Sequence, residues 1–108
     1  MISWARVNEL MDEIGQEAFE EVATLFLEEF EAKLAMLTGR ESAADMADAM
    51  HFLKGSATNL GFADVAAQVS LNETSARVGL PVDLPALRTL YTQSKGCFLT
   101  GLARGAAA

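Results

Sequence analysis

Apolar residues at three- and four-residue steps, cut into blocks by glycine and proline, set the strongest limit on what this chain can fold into. Between residues 16 and 37, Phe19, Val22, Ala23, Phe26, Phe30, Leu34 and Leu37 form one such stripe, the mark of an amphipathic helix. Glu17, Glu20, Glu21, Glu28 and Glu31 fall largely off it. No stretch shows the two-residue alternation of a half-buried strand. Composition points the same way. There are 19 Ala and 14 Leu against 6 Val and 2 Ile, a bias toward helix and away from sheet.

The punctuation defines five helical segments. Ser3 caps a short first helix, with Trp4, Val7, Met11 and Ile14 on one face and Gly15 as its stop. The second helix, over about 16–37, ends by Gly39. Ser42, with Asp45 three residues on, resembles a capping box that opens a third helix running to Leu60 and Gly61. The fourth starts at about Phe62 or Ala63 and reaches Arg77, before Gly79. Pro81 breaks the chain, Asp83 caps the fifth helix, and Pro85 is tolerated in its first turn. That helix reaches about Leu102 and is expected to fray into the Ala-rich tail over 103–108. A chain of 108 residues suits one domain, 1–108. The expected fold is all-α: an antiparallel up-down four-helix bundle over about 16–102, with the short first helix closing one end.

Composition also narrows function. The net charge of −7 argues against nucleic acid or an anionic membrane as partner. No apolar run is long enough to span a bilayer, and the first residues carry no apolar signal core. The expectation is a cytoplasmic monomer. One cysteine, Cys97, excludes a disulfide framework or a multi-Cys metal site, and is expected to be a half-buried small hydrophobe. The second helix lacks the Glu-x-x-His motifs of a di-metal bundle, so no metal site of its own is expected. Charge is uneven. Residues 1–31 hold nine acids and one base, and residues 32–108 hold six acids and seven bases. The plain reading is a solvated acidic helix face beside a near-neutral remainder; the functional reading confines a partner surface to the less acidic part.

The third helix is the informative one. Met46, Met50, Leu53, Ala57 and Leu60 follow steps of four and three, a bundle seam. At about 100° per residue, His51 lies roughly 140° from the centre of that seam and faces solvent. Ala44, Ala47, Lys54, Gly55 and Thr58 fall around it on the outer face. A solvated helix face normally carries long charged side chains, whereas this one is nearly bare. Gly55 is the oddest choice, since glycine inside a helix costs roughly 1 kcal/mol relative to alanine. One turn after the only histidine, it suggests that something large comes close to the ring. Phe52 flanks the patch and either packs on a neighbouring helix or adds to a docking surface.

The run His51-Phe52-Leu53-Lys54-Gly55-Ser56-Ala57-Thr58-Asn59-Leu60-Gly61 resembles the signature of histidine-containing phosphotransfer (HPt) domains of two-component phosphorelays. Ile14-Gly15, Phe19 and Leu25-Phe26-Leu27-Glu28-Glu29 are similar to the family's second helix, and Ala76-Arg77 before Gly79 to the end of its fourth. The likeness runs from about residue 9 to 102. It implies a carrier without independent catalytic activity. His51 would accept a phosphoryl group on its distal ring nitrogen from a response-regulator receiver aspartate, then pass it to another receiver aspartate. A neutral imidazole is nucleophilic near pH 7, which suits the role. Lys54 would support the phosphoryl charge, and Gly55 would give clearance. Ala44, Ala47, Thr58 and Phe52 would belong to the docking face. The partners implied are receiver domains and a hybrid histidine kinase. No cofactor of its own is implied, and Mg²⁺ is expected from the receiver.

One position departs from the pattern. Family members often place Gln on the fourth helix near the histidine, and a gapless count puts Glu73 there. A carboxylate would either repel a phosphohistidine or pair with Lys54 or Arg77. Two alternatives stay open: the phosphotransfer domain of a chemotaxis-type histidine kinase, which shares the motif, and an adaptor bundle that binds receivers or kinases without being phosphorylated. The intact His51 points away from the adaptor.

Overall fold

The computed structural model describes residues 1–105, so the last three alanines of the tail lie outside the described residues. Five helices follow one another: α1 (Trp4–Ile14), α2 (Gln16–Met36), α3 (Ala43–Leu60), α4 (Ala63–Arg77) and α5 (Leu84–Ala103). Among the described residues there is no strand. Among the described residues no helix is long and apolar enough to cross a membrane. Ala103 ends α5, and Arg104 and Gly105 form a turn.

Local chemistry sets the boundaries. Ser3, Ser42 and Asp83 each accept a hydrogen bond from a backbone N–H in the first turn of α1, α3 and α5. The reverse bond of a capping box at Asp45 does not form; the Ser42 hydroxyl alone satisfies the orphan donor. The α2 helix ends earlier than Gly39 suggests, because Leu37 is already extended. Glu41 then accepts hydrogen bonds from the Thr38 and Gly39 amides, which stabilises the turn instead. At the end of α3, Gly61 takes the left-handed conformation (φ 85°), its N–H donates to Thr58, and the Phe62 N–H donates to Ala57. That pair of bonds is a Schellman turn. A side chain at Gly61 would also meet the Ser3 carbonyl at 2.9 Å, because the start of α1 lies over this turn.

Burial follows the stripes. The α3 seam of Met46, Met50, Leu53, Ala57 and Leu60 is wholly inside, and Met50 and Leu53 are fully sequestered. Each of those two side chains contributes roughly 1.5–3 kcal/mol of transfer free energy. In α1 the buried residues are Val7 and Leu10, so Leu10 joins the face read from sequence. Phe19, Phe62 and Phe98 form a buried aromatic centre, with the Trp4 ring stacked on Phe98 and Phe30 stacked on Tyr91 at 4.5 Å.

Polar ties lock the α2–α5 pair. Arg88 donates to the Leu34 and Leu37 carbonyls at the end of α2. Glu31, read from sequence as off the stripe, sits at this interface. Tyr91 and Lys95 both donate to its carboxylate at 2.7 Å. Those bonds, from Lys95 first, hold the Glu31 carboxyl below the usual carboxylate range. The tie is therefore present at neutral pH and is lost as pH falls through that lowered value. Cys97 is exposed rather than half-buried, because α5 turns Ser94 and Phe98 inward and leaves this position outside.

For function, the α3–α4 hairpin matters most. The tight turn at Gly61 folds α4 back along one flank of α3, which brings Glu73 of α4 beside His51, near the middle of α3.

Candidate functional site

His51 stands where the helical arithmetic puts it. Its side chain is 72% exposed, although its backbone belongs to the best-buried helix of the protein. One edge of the ring is held. Nδ1 lies 3.3 Å from Oε2 of Glu73, a residue that is itself 8% exposed. Arg77, one turn further along α4, donates to the same oxygen through Nε at 3.1 Å and through Nη2.

Charge and tautomer follow from this geometry. The hydrogen bonds from Arg77, then the one from His51, hold the Glu73 carboxyl below the usual range, although burial opposes them. Glu73 is thus a carboxylate at neutral pH and accepts only. The 3.3 Å contact is favourable when Nδ1 carries the ring's proton, which leaves the lone pair of the neutral ring on Nε2. Nε2 is on the open edge. A carboxylate that fixes an imidazole tautomer in this way also stabilises the cation that forms when the other nitrogen attacks an electrophile. The site offers an oriented nitrogen nucleophile on a bare helix face.

What surrounds the ring is sparse. Lys54 is exposed, and among the described residues no acidic group holds its ammonium in a salt bridge. Gly55 has ordinary helical backbone, and a Cβ built there would meet nothing within 4 Å. Around the lone histidine, the family called Hpt domain matches residues 7–96 of the chain. The chain belongs to the Hpt domain family. No curated protein and no solved structure matches it. Hpt domains act as histidine phosphotransfer carriers in phosphorelays, where they interact with receiver domains and histidine kinases, and they are not enzymes in the ordinary sense.

In this Hpt domain the outer face of α3 is narrower than the sequence implies. Ala44, Thr58 and Phe52 are exposed and line it. Ala47 does not: it is 2% exposed and belongs to the core. By the same rotation Ala47 lies only about 100° from the seam centre, on the flank that α4 covers. A methyl group there disappears under the neighbour, whereas the longer Lys54 on the same flank reaches solvent. Phe52 is half-exposed on the other flank, with the Lys33 ammonium of α2 5.5 Å from its ring centroid, a cation–π distance.

Glu73 was legible as an oddity but not as a ligand of the ring. Of the two pairings open in the sequence, the one with Arg77 forms, at the four-residue spacing that puts two side chains on one helix face. The contact with His51 crosses between helices and had no local signal. Among the described residues, no three His, Cys, Asp or Glu side chains converge as a metal site.

Proposed function

We propose that this domain carries phosphoryl groups between receiver domains, taking one from an aspartyl phosphate onto Nε2 of His51 and giving it to an aspartate of a second receiver. The observation that supports this most is the pairing of a tethered Nδ1 with an open Nε2 on a helix face cleared by Gly55. In the forward step the Nε2–P bond forms as the bond between phosphorus and the aspartyl oxygen breaks, and the aspartate departs as a carboxylate. The ring keeps its proton on Nδ1 and gains positive charge, which Glu73 balances. The second transfer is the same step in reverse. Lys54, one turn from His51, faces the phosphoryl oxygens as a point charge. Mg²⁺ held by the receiver's acidic pocket would supply further charge neutralisation, so the carrier need supply no metal of its own.

The same reading takes α2–α5 as an up-down four-helix bundle with α1 across one end, and the domain as a cytoplasmic monomer. The α2–α5 ties and the α3–α4 hairpin support the antiparallel order. The receiver docks on the exposed part of α3, away from the acidic outer face of α2. Amide chemical-shift changes on adding a receiver should therefore cluster around Ala44, Phe52, Gly55 and Thr58. A cluster around Glu17, Glu20 and Glu28 would contradict this.

Lys54 gives a second test. An exposed lysine makes ion pairs worth about 0–1 kcal/mol, so Lys54→Ala should barely move the melting temperature. Against a phosphoryl group in a docked, water-poor interface the same ammonium matters more. Transfer should slow by about tenfold, equivalent to roughly 1.4 kcal/mol on the barrier. Parent-like transfer in Lys54→Ala removes the residue from the mechanism.

A further inference from the structure

We infer that Arg77 is a positioning residue for His51: it locks the Glu73 carboxylate onto Nδ1 and keeps it away from Lys54. Three donor atoms converge on one oxygen, Oε2 of Glu73, and Arg77 supplies two of them. The third is His51 Nδ1, at the longer distance of 3.3 Å. The bond that orients the ring is thus the weaker partner of a clamp made by Arg77. Without the clamp, a nearly buried carboxylate keeps only the 3.3 Å contact with Nδ1 and gains by turning toward water or toward the cation one turn along α3. Either movement releases the ring. The second also removes Lys54 from the phosphoryl site. The guanidinium suits this task because its fork fixes a carboxylate in direction as well as charge. Arg77 itself is 56% exposed on its side chain and contributes nothing to the buried seam, so its substitution leaves the fold intact.

The effect on transfer rests on the reading above, whereas the effect on the ring does not. The primary measurement is therefore made on the unphosphorylated full chain. Ring ¹⁵N shifts of His51, recorded where the imidazole is neutral, give the ratio of the two tautomers. In the parent, the form protonated on Nδ1 should dominate. In Arg77→Gln that ratio should fall by about tenfold, the effect of losing one charge-assisted hydrogen bond to the ring. Arg77→Lys should restore much of it. In the Glu73→Ala background, Arg77→Gln should change nothing, because the clamp then has nothing to hold. Transfer from a phosphorylated receiver should slow by about tenfold in Arg77→Gln, as for other groups that orient a working histidine from outside. An unchanged tautomer ratio in Arg77→Gln overturns the inference, as does an equal change with and without the Glu73 carboxylate. If the tautomer shifts as expected but His51 never takes up phosphate, the positioning role stands and the carrier reading fails.

Discussion

His51→Gln is expected to lose phosphoryl transfer completely while folding as the parent does. His51 is the only histidine, so no second imidazole can take over. The ring is 72% exposed, so replacing it should change stability by no more than about 0.5 kcal/mol. Glutamine also keeps a side-chain N–H for the Glu73 carboxylate, which spares the buried acid from losing a donor. Loss of label together with an unchanged melting curve is the result to look for. A variant that still accepts phosphate from a receiver would move the acceptor elsewhere on the chain.

The second large effect is at Gly55, where stability and transfer should move in opposite directions. The backbone there is ordinary helix with open space beyond it, so a side chain meets no steric obstacle within the domain. Gly55→Ala should therefore stabilise the fold by about 0.5–1 kcal/mol, because alanine loses less chain entropy on folding. Gly55→Gln should fold as well. Both should impair transfer, glutamine by more than tenfold, since its atoms occupy the space through which a receiver reaches His51. Thermal melts and transfer rates on the pair decide the matter. A destabilised Gly55→Ala, or a Gly55→Gln that transfers at the parent rate, would refute the clearance role.

How much of this could be read in the sequence depended on how local the physics was. The caps at Ser3, Ser42 and Asp83 and the left-handed stop at Gly61 are decided within a few residues, and each was legible. The exposure of His51 was legible because 140° from a seam faces solvent whichever helices pack alongside. Ala47, at about 100°, was not: its burial depends on α4 lying over that flank, which is tertiary information. Cys97 failed for the same reason on α5. Glu73 is the instructive case. The resemblance already places it near the histidine, but a carboxylate near a phosphohistidine reads as repulsion until the geometry is known. It lies 3.3 Å from Nδ1, the ring nitrogen that carries no phosphate in the proposed transfer.

The most direct measurement is ³¹P and ring ¹⁵N NMR on the chain after incubation with a phosphorylated receiver. A single phosphoramidate is expected, with phosphorus coupled to Nε2 of His51, stable in alkali and lost in acid. Phosphorus on Nδ1, on a carboxylate, or on no atom of this chain would contradict it.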